Sequence, residues 1–248
     1  RKTRHHLQGA TMRKIMLLNA KGGCGKSTIA TNLASYYAMQ GKSVVLADFD
    51  RQGSSTEWLE ARPQDRPAIR GLVAWRDPVR VARSTDYVIM DVPAGAHGPE
   101  LTALVRRAHT LIVPVLPSPT DIRAAAHFIH ELLLVGKIVR DESRLAVIAN
   151  RVHENSAIQN SMEHVLNSMS ISYSTLNTQI YHNLERFLSR LKIPFVATLR
   201  ESNNYLVADA RGLGIFDLNS SQAHRDTEQW QPMLKWLESK RSIPDPVD

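Results

Sequence analysis

The stretch KGGCGKST, residues 21–28, decides the fold of this 248-residue chain. It lies between a short apolar run at residues 14–19 and a longer run with helical spacing at residues 26–40. Glycines at such a junction let backbone N–H groups turn inward around phosphate oxygens, and the helix N-terminus adds the positive end of its dipole. The sequence therefore predicts a phosphate-binding loop for a nucleotide. Its contact residues are predicted to be Lys21, Gly22, Gly23, Cys24, Gly25, Lys26, Ser27 and Thr28.

Short β-rich runs alternate with helical stretches on either side of this loop. Strands are predicted at residues 14–19, 43–47, 69–73, 87–91, 110–115, 144–149 and 195–198. Helices are predicted at residues 26–40, 54–60, 99–108, 121–139, 184–191, 203–210 and about 226–240. Strands that are apolar throughout are typical of a sheet with helices on both faces. We therefore expect an α/β fold with a doubly wound, mostly parallel sheet, the Rossmann-like architecture of P-loop NTPases, with ligands beyond the carboxyl ends of the strands.

Composition narrows the possible functions. The chain has 31 Lys+Arg against 24 Asp+Glu, a formal charge of +7, which permits phosphate contacts with nucleic acid without establishing them. One cysteine excludes a disulfide framework, a four-cysteine zinc site and an iron–sulfur cluster held by this chain alone. No uncharged apolar run approaches the roughly 20 residues of a membrane span. We expect a cytoplasmic protein with one domain at residues 13–248, a disordered basic tail at 1–12, Met12 as an alternative start, and a polar insertion at about 157–179.

The loop differs from the ordinary phosphate-loop pattern at two positions, and these differences indicate a particular class of phosphate loop. Ala20 stands where that pattern has glycine, and a second lysine, Lys21, opens the loop. In this the chain resembles the deviant Walker A motif of the ParA/MinD family of ATPases. Residues 48–54 (DFDRQGS) are similar to that family's DxDxQ segment, although Arg51 stands where proline is common. Residues 91–95 (DVPAG) are similar to its Walker B and switch II segment.

Weaker likeness continues along the chain, so that the resemblance covers about residues 13–237. Asn150 and Arg151 resemble the pair that reads adenine, and residues 199–201 and 212–216 are similar to C-terminal motifs. The polar stretch at about 157–179 departs from the family pattern.

The resemblance implies ATP and Mg²⁺ as ligands and assigns a role to each polar side chain. Lys26 supplies a point charge to the β- and γ-phosphates, and the Ser27 hydroxyl is a ligand for Mg²⁺. Lys21 is expected to reach the partner's phosphates across a nucleotide-sandwich homodimer, in the manner of an arginine finger. Asp50 is expected to orient the attacking water. The remaining expectations are Asp48 and Asp91 as Mg²⁺ ligands through water, Gly95 as the mobile switch residue and Asn150 as an adenine contact.

The resemblance also implies slow, partner-stimulated ATP hydrolysis by a nucleoid-associated dimer. Such a dimer binds DNA non-specifically and positions or segregates a cargo, which is a plasmid or chromosome partition complex, a protein cluster or a carboxysome-like compartment. It is released when an adaptor protein stimulates hydrolysis. Candidate DNA contacts are Arg186, Arg190, Arg211 and Arg225. A solvated helix face explains Arg186 and Arg190 equally well.

Two alternative functions stay open at this point: a MinD-like membrane-surface regulator, and an ATP-binding switch with little hydrolysis. The apolar stripe at residues 230–237 suits either a membrane anchor or core packing. The acidic, proline-broken residues 243–248 favour core packing, because a surface anchor needs a basic polar face. A membrane is therefore not an expected partner.

Overall fold

The computed structural model describes residues 12–135, 144–153 and 184–244. Its strands are β1 Arg13–Leu17, β2 Val44–Asp48, β3 Arg70–Val73, β4 Tyr87–Asp91, β5 Thr110–Val115, β6 Arg144–Val152 and β7 Phe195–Arg200. Within the described ranges they form a seven-stranded sheet of order β3-β2-β4-β1-β5-β6-β7, and each neighbouring pair is parallel. The predicted doubly wound parallel sheet is confirmed.

Helices connect the strands on both faces of this sheet. They are α1 Lys26–Met39, α2 Ser54–Glu60, α3 Gly98–Val105, α4 Pro119–Val135, α5 Asn203–Asp209 and α6 Ser220–Glu238, and residues 184–190 are also helical. The predicted start of the last helix, about residue 226, was wrong. Asn219 caps α6 by accepting a hydrogen bond from the Ser221 backbone, so the polar first turns are helical although they lack an apolar period.

Two apolar layers explain why the strands are apolar throughout. Ile15 and Leu17 point into the layer under α1 and α6, whereas Met16 points into the layer under α3 and α4. The apolar stripe of α6 lies in the first of these layers, where Trp230 is fully buried. The prediction that this stripe packs in the core is confirmed.

Some expectations fall outside the described residues. These are the tail up to residue 11, the end of the fourth predicted helix at 136–139, and the insertion at 157–179. Met12, the last residue of the predicted tail, packs against the layer under α3 and α4. Across the described helices, none combines the length and hydrophobicity that crossing a bilayer requires.

The register of the central strands places the predicted site residues together. Leu17 at the end of β1 and Asp48 at the end of β2 both pair with Asp91 at the end of β4. The loops that follow these three strands therefore leave the sheet at the same carboxyl edge. Those loops contain residues 21–25, residues 49–53 and Gly95.

Candidate nucleotide-binding site

The loop after β1 has the backbone geometry that phosphate binding needs. Gly23 and Gly25 have φ angles of +75° and +92°, in the left-handed region that glycine tolerates. A Cβ at Gly25 would also lie 2.2 Å from Nδ2 of Asn150. That amide donates a hydrogen bond of 2.9 Å to the carbonyl of Cys24, so β6 holds the loop from one side. The close approach requires glycine at position 25 for steric reasons as well.

Asn19 holds the beginning of the loop. Its side chain accepts a hydrogen bond from the Lys21 backbone at 3.2 Å and donates one to the carbonyl of Pro114 at 2.8 Å. The loop is thus tied to β5 through Asn19 and to β6 through Asn150. Sequence reasoning assigned Asn150 to adenine and missed Asn19, whose only signal in the sequence was a polar residue at the end of the predicted strand 14–19.

Lys26 and Cys24 both point back onto one carbonyl of the loop. Nζ of Lys26 and Sγ of Cys24 each donate to the Lys21 carbonyl at 3.4 Å. Burial raises the pKa of the Cys24 thiol, and the nearby Lys26 charge only partly opposes this. The thiol is therefore neutral near pH 7, as suits a small residue packed in a tight turn.

Asp91, at the end of β4, carries an unsatisfied oxygen. Its Oδ2 accepts a hydrogen bond from the Ser55 hydroxyl at 2.7 Å, whereas its buried Oδ1 has no partner among the described residues. Burial raises the pKa of Asp91 to about 6, although the Ser27 and Ser55 hydroxyls act to lower it. A buried carboxylate oxygen close to the Ser27 hydroxyl fits the oxygen chemistry that hydrated Mg²⁺ prefers. The roles of Ser27 and Asp91 as Mg²⁺ ligands stay predictions.

Asp48 lies beside Asp91 but its oxygens are already used. Oδ1 accepts a hydrogen bond from the Asp50 backbone at 3.0 Å, and Oδ2 accepts from the backbone and the hydroxyl of Thr56 at 3.0 and 2.9 Å. These contacts fix the segment after β2 and the first turn of α2. The predicted role of Asp48 as a Mg²⁺ ligand stays a prediction. Its contact with the Asp50 backbone shows that Asp48 helps to position Asp50.

A cavity of about 480 Å³ opens above the loop. Among the predicted residues it is lined by Gly22, Gly23, Gly25, Lys26, Ser27, Thr28, Asp50 and Asn150. Lys21, Cys24, Asp48, Asp91 and Gly95 are not in its lining. The opposite wall, which includes Arg200, Ser202 and Tyr205, was missed as part of the site. Only the weak motif at residues 199–201 could have indicated it.

Lys21 leaves the loop in another direction. Its Nζ lies 2.7 Å from Oδ1 of Asp121 at the start of α4, and its side chain is 42% exposed. Gly95, the predicted switch residue, has φ +80° and its carbonyl lies 2.7 Å from Nδ1 of His97. The switch role of Gly95 stays a prediction.

None of the candidate DNA contacts lines the cavity. Arg186 and Arg190 are exposed on the helical segment 184–190, Arg211 is exposed just after α5, and Arg225 is exposed on α6. Their role stays a prediction.

A phosphate-type loop on a parallel sheet, with paired carboxylates at neighbouring strand ends, defines a P-loop nucleotide-binding protein. Residues 15–213 match the model of the CobQ/CobB/MinD/ParA nucleotide binding domain. The chain belongs to that family, which includes the ParA-like ATPases.

Individual relatives agree with this assignment. The chain is 26% identical over 178 residues to the "Maintenance of carboxysome distribution protein A" of Halothiobacillus neapolitanus, covering 68% of this chain and 82% of that protein. It is 32% identical over 128 residues to the protein of the same name from Gloeobacter kilaueensis, covering 49% of this chain and 57% of that protein. Apo McdA of Cyanothece has a similar structure, with a TM-score of 0.68, 16% identity, and coverage of 90% of this chain and 99% of that chain. The structural likeness shows the shared fold.

Proposed function

We propose that this protein is an ATPase that positions a cargo by cycling between an ATP-bound sandwich dimer and a released monomer. The single observation that carries the proposal is the cavity in which the phosphate loop, Asp50 and Asn150 meet.

Each side chain has a task that follows from its position. The loop N–H groups and Lys26 hold the phosphates, and Asn150 keeps the loop in shape through Cys24. Asp50 lines the cavity and orients the attacking water. Ser27 and Asp91 would hold Mg²⁺, which supplies positive charge to the phosphates when bound. Lys21 supplies a positive charge to the nucleotide of the partner subunit.

The expected cargo cycle rests on charge and on the relatives. The excess of 31 basic over 24 acidic residues suits contacts with DNA phosphates that read no sequence. Arg186, Arg190, Arg211 and Arg225 are proposed for these contacts because all four are exposed. Relatives named for carboxysome distribution and chromosome partitioning support a positioning role. An adaptor protein that stimulates hydrolysis is part of the proposed cycle. A nucleoid-associated protein follows from this cycle.

The test is co-sedimentation with non-specific DNA in ATP, in ADP and without nucleotide. We expect the wild type to bind only in ATP and Lys21→Ala to bind in none of the three. The variant Lys42→Ala is the matched control, because Lys42 is an exposed lysine in the turn after α1. It removes the same charge and should bind as the wild type does.

Other results would contradict parts of the proposal. DNA binding that does not depend on nucleotide would indicate that net charge alone accounts for the affinity. The absence of DNA binding would refute the proposed nucleoid association. Co-sedimentation with anionic vesicles would then favour a membrane-surface regulator. Burial of the apolar face of α6 makes us expect no vesicle binding.

A further inference from the structure

Lys21, the residue on which the proposed dimer depends, is held by its own chain. Its Nζ lies 2.7 Å from Oδ1 of Asp121, the third residue of α4. The carboxylate side chain is 11% exposed, whereas the lysine side chain is 42% exposed. The lysine can therefore leave for solvent, but the carboxylate stays fixed in the protein.

Asp121 is fixed by the first turn of α4. Its carboxylate accepts a hydrogen bond from the Ser118 hydroxyl, and its backbone N–H donates to Oγ of Ser118 at 3.1 Å. Burial acts to raise the pKa of Asp121, but the hydrogen bonds from Lys21 and Ser118 outweigh it, so that the pKa is lowered. The carboxylate stays charged at neutral pH. It presents a permanent negative partner to Lys21.

The backbone of Lys21 is fixed as well. Asn19 accepts a hydrogen bond from its N–H, and Lys26 and Cys24 donate to its carbonyl. Only the side chain of Lys21 is free to turn. Lys21 can therefore exchange Asp121 for another negative group by rotation of its side chain, without movement of its backbone.

We propose that Asp121 is a positioning residue that holds Lys21 within its own subunit, and that dimer formation moves the Lys21 ammonium from this carboxylate to the phosphates of the partner's nucleotide. The inference rests on the proposed sandwich dimer. In this proposal the Lys21 ammonium gives up its 2.7 Å contact with Asp121 when it turns to the partner's phosphates. The ion pair therefore competes with dimer formation and sets the protein concentration at which ATP produces dimers.

The experiment measures the dimer dissociation constant in MgATP by sedimentation velocity. All proteins carry Asp50→Ala, which is expected to slow hydrolysis and preserve ATP. We expect Asp121→Asn to tighten the dimer about thirtyfold, because each dimer breaks two partly exposed ion pairs of about 1 kcal/mol each. Asp121→Glu, which keeps the charge, should restore the weaker dimer. Asp65→Asn, at an exposed loop aspartate, controls for the change in net charge and should leave the dissociation constant unchanged.

The outcomes separate this inference from the proposed function. If the Asp50→Ala protein forms no dimer in ATP, the sandwich mechanism fails and the inference fails with it. If it dimerises and Asp121→Asn behaves as Asp65→Asn does, the inference alone is overturned.

A second measurement needs no variant and so does not depend on Asp121→Asn folding. Competitive acylation of lysine amines, read by mass spectrometry, compares Lys21 with the exposed Lys42 in the nucleotide-free wild type. We expect Lys21 to react several-fold more slowly, because its 2.7 Å contact with Asp121 must open before the amine can reach the reagent. Equal reactivity of the two lysines would overturn the inference.

Discussion

Replacing Asp91 by asparagine should make the protein more stable and less able to use Mg²⁺. Asp91 is buried, its Oδ1 has no hydrogen-bond partner in the part of the chain that the structure describes, and burial raises its pKa from 3.8 to about 6. The difference corresponds to about 3 kcal/mol of destabilisation by the charged form at neutral pH, as an upper estimate. Asp91→Asn removes the charge and keeps the size of the side chain. We therefore expect its free energy of unfolding at pH 7.5 to exceed that of the wild type by about 1–3 kcal/mol.

The gain should depend on pH in a defined direction. The folded chain binds the Asp91 proton more tightly than the unfolded chain, so protonation of Asp91 favours folding. This contribution is fully present below pH 3.8 and is lost as the pH rises through about 6. The advantage of Asp91→Asn should thus be largest above pH 6 and should vanish near pH 4.

Urea unfolding at several pH values, with and without MgADP, measures both effects. Without ligand the variant should be more stable, and with MgADP the order should reverse, because only the wild type gains fully from binding. Asp48→Asn is the matched control. Because Asp48 accepts hydrogen bonds at both oxygens, this variant should lose about 1–3 kcal/mol. The reasoning is refuted if Asp91→Asn is destabilised at pH 7.5 by as much as Asp48→Asn.

Three further substitutions or reactions test separate contacts. Gly25→Ala places a Cβ 2.2 Å from Nδ2 of Asn150, at a backbone φ of +92°. The free energy of unfolding should therefore drop by more than about 1 kcal/mol, and nucleotide affinity measured by calorimetry should fall. Unchanged affinity would contradict the packing of Asn150 against the loop. Arg62→Ala leaves the buried carboxylate of Asp217 without the guanidinium that lies 3.0 Å away. Urea unfolding should then show a free energy of unfolding lower by about 3–5 kcal/mol. A decrease below about 1 kcal/mol would contradict this and indicate that water replaces the arginine. The Cys24 thiol is buried and its pKa is raised. At pH 7.5 it should therefore react with iodoacetamide much more slowly than the thiol of glutathione does. Rapid alkylation that nucleotide does not slow would contradict the position of Cys24 in the loop.

The fold could be predicted because local sequence and global arrangement agree. Strands such as residues 110–115 are apolar throughout, which requires cover on both faces, and the glycine loop fixes where β1 ends. Parallel strands align their carboxyl ends, so Asp48 and Asp91 could be expected near the loop after β1.

The contacts of individual side chains could not be predicted in the same way. The sequence shows Asp48 after a strand, but its hydrogen bonds to Thr56 depend on how α2 docks against β2. The pairing of Lys21 with Asp121 joins residues far apart in the chain, and no local pattern encodes it. The start of α6 depends on one cap, Asn219, which outweighs the missing apolar period. Such details are set by tertiary packing rather than by periodicity.

The central claim, hydrolysis in a dimer with Lys21 acting in the partner's site, is tested most directly by mixing two inactive variants. Lys21→Ala keeps Asp50 but cannot supply the lysine, and Asp50→Ala supplies the lysine but cannot orient water. A mixed dimer holds one complete site, so an equimolar mixture should recover about a quarter of wild-type ATP turnover if subunits combine at random. Either variant alone should be inactive. A mixture as inactive as its components would contradict the claim and confine Lys21 to its own subunit.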